Sequence, residues 1–211
     1  MTDPVTFEIV KHRLWQINDE QGIAIKTISA SPIVVEGNDY NVGLFTDRAE
    51  LVTAGVGSLV HVTTMGDALA SIISGAESIN DGDIFMTNDP FLGALHQNDV
   101  VVASPVFRNG KVFMWIGNVL HHPDVGGIDA GSFCINARTL DDDPPRFFMK
   151  ILDRGELVTE NEQAFVNNSR LPDAVALDLR AQIGAINVAH TRLDELLDER
   201  GEDLVAVRVR V

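Results

Sequence analysis

Residues 96–127 read HQNDVVVASPVFRNGKVFMWIGNVLHHPDVGG, and how they are interpreted decides the fold. Two apolar runs rich in β-branched residues, 99–107 and 111–120, flank Arg108-Asn109-Gly110. Asn-Gly between such runs is a strong hairpin signal, because the favoured two-residue turn needs positive φ at both central positions. That turn pairs positions whose numbers sum to 219, so Asp99 is expected to face Leu120 and Asn98 to face His121. His96-x-x-Asp99 and His121-His122 then meet at one end of one hairpin. In a regular ladder Asp99 and His121 would point to opposite faces. A bulge, or a strand that breaks at that end, would bring them together. Two imidazoles and a carboxylate in one cluster suit a divalent transition metal with positions left open for water or substrate. The plainer alternative is a set of locally bonded strand-end histidines beside an Asn88-Asp89-Pro90 turn.

Upstream of the hairpin, residues 4–26 are expected to form a helix. Asp3 caps it, Pro4 takes the first helical position, and Phe7, Val10, Leu14, Ile17 and Ile25 return at helical spacing. Short strands are expected at 33–35, 41–45, 51–52 and 59–62, the last holding His61 between two valines. A short helix then runs from Thr63 or Thr64 to Ser74, and 83–87 reads as another strand. Downstream, 121–146 is rich in glycine, proline and aspartate and reads as a loop longer than passive connections usually are. Residues 147–152 return as a strand, and Thr159-x-x-Glu162 reads as a capping box for a helix ending near Asn168. Residues 172–200 form the clearest helix, with Val175, Leu179, Ile183, Ile186, Leu193 and Leu197 on one face and Gly201 as its stop. The last ten residues alternate like a strand (Val205, Val207, Val209, Val211). They read either as a tail that pairs with a partner or as a longer chain that has been cut or split. The expected class is α+β: antiparallel hairpins and sheet, an N-terminal helix and a long C-terminal helix.

Composition narrows the function. At roughly 150 residues per domain, 211 residues allow one domain or two. Sixteen basic against 31 acidic residues give a formal charge of −15, which repels a phosphate backbone and disfavours nucleic-acid binding. No apolar run reaches the roughly 18 residues of a membrane span, and the opening MTDPVTFEIVKHRLW has no apolar signal-peptide core. Cys134 is the only cysteine, so no internal disulfide forms and the chain is expected in the cytoplasm. Cys134 also lacks a base partner. No phosphate-cradling G-x-x-x-x-G-K-[ST] occurs, so any ATP is expected on another chain. For His61 and Asp39 the default readings are a satisfied core histidine and a turn carboxylate.

These segments resemble the hydantoinase B/oxoprolinase family, which includes the catalytic subunits of acetone and acetophenone carboxylases. The resemblance is carried in family order by DPVTFEIVKHRLWQINDEQG, NDYNVGLFTDRAELV, VHVTTM, NDPFLGALHQNDVVVASPVF, HHPDVGGIDAGS, ILDRGEL and DLRAQIGAINVAHTRL. It implies a divalent metal, manganese or zinc, held by His96, Asp99 and His121, with Asp39 as a fourth ligand. It places His61 and Asp124 beside that centre or against substrate, with His61 or His122 moving protons. It also implies an A-type partner subunit that uses ATP, in a hetero-oligomer. The sequence departs from the hydantoinase pattern at Ser31–Asn38, which looks closer to the carboxylase branch, and at Ala94-Leu95 before the histidine. Family members run several hundred residues further, so 1–211 is expected to be one hydantoinase B-like domain, the N-terminal part of a longer architecture.

Three functions follow as expectations. The first is a B-type subunit that completes ATP-dependent hydrolysis of a cyclic amide. The second is a subunit of an ATP-dependent ketone carboxylase, and the third a non-catalytic assembly subunit that retains the fold.

Overall fold

The computed structural model describes residues 3–208. In chain order it contains α1 (Pro4–Ile28), α2 (Pro32–Val35), β1 (Tyr40–Thr46), β2 (Leu51–Ala54), α3 (Leu59–Gly75) and β3 (Ile84–Thr87). The central hairpin β4 (Asp99–Arg108) and β5 (Lys111–His121) follows, then β6 (Phe148–Asp153), β7 (Glu156–Leu157), α4 (Thr159–Val166) and α5 (Pro172–Arg208). The strands form one antiparallel sheet in the order β2-β1-β5-β4-β3-β6-β7.

Nearly every residue of β4 and β5 is buried, because both faces of the sheet are covered. Strand alternation divides their side chains. Val100, Val102 and Val106 join Val10 and Leu14 of α1 and Leu179, Ile186 and Leu193 of α5 in one core. Val101 and Ala103 join Met65, Leu69 and Ile72 of α3 in a second core on the opposite face, with Phe45 and Trp115. The α+β class, the Asp3 cap and both long helices are as the sequence implies: Asp3 accepts from the Val5 and Thr6 amides at 3.0 and 3.1 Å.

The register differs from expectation at one point, and that point matters most. Pairs sum to 219 only next to the turn, at Arg108–Lys111 and Phe107–Val112. Beyond a bulge the partners become Val106–Met114 and then Asp99–His121. Phe113 is the extra residue, and it packs in the same core as its neighbour Met114, whereas Val112 packs in the opposite one. Two successive side chains on one face are what a bulge produces. Asp99 therefore faces His121 rather than Leu120, on the α3 side of the sheet.

Five smaller expectations are corrected. Residues 33–35 are helical, not a strand, because Pro32 pre-sets the first helical φ. Residues 59–62 are the first turn of α3, so His61 lies on a helix; its burial with Met65, Ala68, Leu69 and Ile72 follows a helical repeat. No capping box forms at Thr159, because Val158 occupies the cap position and Glu162 pairs instead with Arg180 at 3.5 Å. Gly201 does not stop α5: Arg200 (φ −146°) kinks the helix, which continues to Arg208. The strand-like reading of the tail fails for 202–208, and 209–211 lie outside the described residues.

Leu179 is fully buried between α5 and the sheet. Leu179→Asp forfeits about 1.5–3 kcal/mol of apolar burial and adds an unpaired buried carboxylate costing several more. That is comparable with the roughly 5–15 kcal/mol stability of a domain. Urea unfolding followed by circular dichroism should find the variant unfolded without denaturant. A wild-type midpoint would mean that this face does not hold the helix.

Candidate metal centre

Three adjacent strand ends build the site. His121 closes β5, and its amide donates to the Asp39 carbonyl at 3.1 Å just before β1. Asp99 opens β4 opposite His121, and the His122 amide donates to the Asn98 carbonyl at 2.8 Å. His61 arrives from above on α3. The loop before α3 runs hard against β1, where a Cβ on Gly57 would lie 1.8 Å from the Tyr40 carbonyl oxygen. The Ser58 amide donates to that oxygen at 2.9 Å, and Asn41 Nδ2 donates to the Ser58 carbonyl at 2.9 Å.

His96 is delivered by a loop. Asp89 accepts from the Phe91 amide at 2.9 Å and caps a single 3-10 turn, Pro90–Leu92. Gly93 ends that turn at φ 108°, so close to α3 that a Cβ would sit 2.3 Å from the Ala68 nitrogen. Asn88 donates to the Gln97 and Pro145 carbonyls at 3.0 and 3.1 Å, tying this loop to the next.

Asp99 is the hub. Its carboxylate lies 3.1 Å from His121 Nδ1, 3.3 Å from His96 Nε2 and 3.9 Å from His61 Nδ1. Ligand atoms from His96, Asp99 and His121 all lie within 4.8 Å of one another. Asp39 completes the ring from its half-exposed position: Oδ1 accepts from His61 Nε2 at 2.8 Å, and Oδ2 lies 3.5 Å from His121 Nδ1.

The donor set fits a divalent cation. Asp99 is buried, and its Oδ2 has no hydrogen-bond partner; His61 Nδ1 is buried and unpartnered as well. A buried carboxylate needs compensating positive charge, and the ion-pair neighbours found for Asp99 are all imidazoles. Burial pushes the His96 pKa below its ordinary value, against the pull of Asp99, so this imidazole is neutral at pH 7 and free to ligate. Among the described residues this is the one cluster of three or more His, Cys, Asp or Glu side chains spaced to hold an ion.

The Hydantoinase B/oxoprolinase family model matches residues 3–210. The chain belongs to that family. It is 27% identical over 206 residues to the 5-oxoprolinase of Dictyostelium discoideum, covering 96% of this chain and 16% of that protein. It is 28% identical over 209 residues to the acetophenone carboxylase delta subunit of Aromatoleum aromaticum, covering 96% and 30%. The crystal structure of the ATP-dependent caprolactamase from Pseudomonas jessenii superposes with a TM-score of 0.88 at 24% identity, over all of this chain and 37% of that one. The chain thus spans well under half the length of these relatives.

Within this hydantoinase B/oxoprolinase fold, the side chains of two residues expected near the centre are engaged in other contacts. His122 follows His121 and so turns to the opposite face, where Nε2 donates to Gln182 Oε1 at 3.0 Å and the ring packs edge-on against Phe165. Gln182 in turn donates to the Val100 carbonyl at 2.8 Å and to Asn118 Oδ1 at 3.0 Å. Asp124 is consumed by structure: it accepts from the Gly126, Gly131 and Arg170 amides and from Arg170 Nη1. Phe133 carries no distinguishing pattern in the sequence, yet its ring lies 5.2 Å from that of His96 at 22° and 5.9 Å from that of His121. Cys134 is a loop tether: Sγ donates to the Asp142 carbonyl at 3.3 Å and accepts from the Asp129 amide at 3.4 Å.

Burial alone would raise the Asp124 pKa, but the three amides and the Arg170 guanidinium outweigh it and hold it below 3.8. Its stabilisation is therefore complete above the unfolded-state pKa and lost as pH falls through the lower folded-state value. Asp124→Ala should cost about 2 kcal/mol in urea unfolding at pH 7, as expected for hydrogen bonds to a charged group. The gap from wild type should narrow as pH falls below about 4. An equal gap at pH 7 and pH 3 would assign the loss to packing instead.

Proposed function

We propose that this chain is the metal-binding, N-terminal domain of a B-type subunit that completes ATP-dependent hydrolysis of a cyclic amide, with ATP used by an A-type partner in a cytoplasmic hetero-oligomer. The observation that carries the reading is the Asp99 carboxylate, buried and with Oδ2 unpartnered, between His96 and His121. The 5-oxoprolinase and the ATP-dependent caprolactamase among its relatives support the hydrolase. The acetophenone carboxylase subunit and the stretch Ser31–Asn38 support a second reading, carboxylation of a ketone.

His96, Asp99 and His121 would hold the cation, with Asp39 as a fourth ligand. A divalent ion there supplies Lewis acidity to the carbonyl or enolate oxygen of a substrate. Asp39 holds the His61 ring through Nε2, so Nδ1 is left facing the cluster, 3.9 Å from Asp99. An imidazole held in that way has Nδ1 placed to take or return a proton at the cluster. His122, sealed under α5 and bonded to Gln182, sets the strand end from behind and is a poor proton carrier.

Asp99→Asn keeps the size of the side chain and removes the charge, so stoichiometric manganese or zinc, measured by elemental analysis, should be lost while the far-ultraviolet spectrum is retained. Affinity should hold at neutral pH and fall only in acid, because His96 must be unprotonated to ligate and burial sets its pKa below the ordinary histidine value. Affinity that stays flat from pH 8 to about 4 would contradict the site.

The chain should bind no ATP by itself in calorimetry with magnesium, since its formal charge is −15 and no phosphate loop is present. With the A-type partner present, ATP turnover should respond to 5-oxoproline or a hydantoin and not to an aryl ketone. The reverse preference would establish the carboxylase reading, and tight ATP binding to the chain alone would break the division of labour.

A further inference from the structure

Of the three residues His96, Asp99 and His121, His96 is the loosest. Its side chain is 25% exposed, against 5% for His121 and 1% for Asp99. It comes from a loop, whereas His121 and Asp99 stand on paired strands and His61 on a helix. A ligating histidine is usually oriented by its second ring nitrogen donating to a carboxylate, carbonyl or water. Here His96 Nδ1 faces a donor, the Asn98 amide, at a long 3.4 Å. Hydrogen bonding therefore orients this ring weakly, and something else must do so.

Phe133 supplies that contact. Its ring lies nearly parallel to His96, at 5.2 Å and 22°, and tilts against His121 at 5.9 Å and 54°. The same ring is 65% exposed, which costs apolar contact with water. The loop holds it there from both sides. The Gly131 amide donates to Asp124 Oδ2 at 2.9 Å, and Cys134 Sγ donates to the Asp142 carbonyl at 3.3 Å. The Asn136 amide adds a 2.7 Å bond to Asp129 Oδ2. Phe133 is thus fixed over two histidine rings by tethers that involve none of the cluster.

We propose that Phe133 is a positioning residue of the metal centre, which stacks on His96 to hold its ring in the ligating orientation and screens the exposed side of the site. The proposal rests on the metal reading above. It predicts that an aromatic face is required at this position and that apolar bulk alone does not suffice.

Two measurements on the 211-residue chain separate the stack from the metal. In the metal-free protein, the ring-proton signals of His96, assigned by their disappearance in His96→Ala, should be shifted upfield by the Phe133 ring current. The shift should vanish in Phe133→Leu and persist in Phe133→Tyr. In the cobalt-loaded protein, transfer of Co(II) to excess EDTA should be about tenfold faster or more for Phe133→Leu, as for other residues that orient a ligand. Phe133→Tyr should release at the wild-type rate, and both variants should keep the wild-type thermal midpoint. An unshifted His96 signal in the wild type, or equal release from Phe133→Leu and wild type, would overturn the proposal. A wild type that shows the shifted signal but takes up no cobalt would refute the metal reading, and with it the ligating role assigned to this stack.

Discussion

Asp99 and His121 face each other across the β4–β5 ladder, and most of what is distinctive in this molecule depends on that pairing. Without the extra residue at Phe113 the two side chains would leave the sheet on opposite faces. With it, His121 joins the Asp99 carboxylate on the covered α3 side, where desolvating a charge is expensive unless positive charge is close by. His61, His96 and His121 converge on that carboxylate from a helix, a loop and a strand end. A divalent cation held among them would balance its charge. The bulge lies close to the turn and the site at the other end of the hairpin, so a local irregularity is carried along the whole ladder as a change of register.

The two faces of the hairpin end do different work. Toward α3 lie Asp99, His121 and His61, drawn together because Gly57 and Gly93 let the flanking loops approach β1 and α3 at distances no side chain would permit. Toward α5 lie His122, Asn118 and Gln182, a buried network whose hydrogen bonds reach the Val100 carbonyl of β4. A buried network of this kind, bonded throughout except at His122 Nδ1, holds the backbone it touches. It backs the same strand ends that carry the site, so one face holds geometry for chemistry that belongs to the other. Asp124 serves similarly for the 121–146 loop, anchoring the segment that presents Phe133.

Much of this was legible in the residues. Asn109-Gly110 announces the hairpin, and the hairpin brings HxxD and HH to one end; the apolar stripe of α5 and the Asp3-Pro4 start of α1 read directly as helix. The bulge was not legible, because Val112-Phe113-Met114 is equally apolar on either register and only packing against the two cores decides. The β-branched Val60 and Val62 hide the helical start of α3, although the repeat His61, Met65, Ala68, Leu69, Ile72 is present in the sequence. Strand alternation alone could have separated His121 from His122. Phe133 had no local signal at all: its meaning lies in contacts with residues far away in the chain, created by how the loop folds back.

The most direct test of the central claim is anomalous diffraction from crystals of this chain grown with manganese or zinc, collected on either side of the metal edge. The account predicts one strong anomalous peak bounded by His96, Asp99 and His121, with ligand distances of about 2.0–2.2 Å. No peak at that position, or a peak elsewhere with Asp99 still unpartnered, would contradict it.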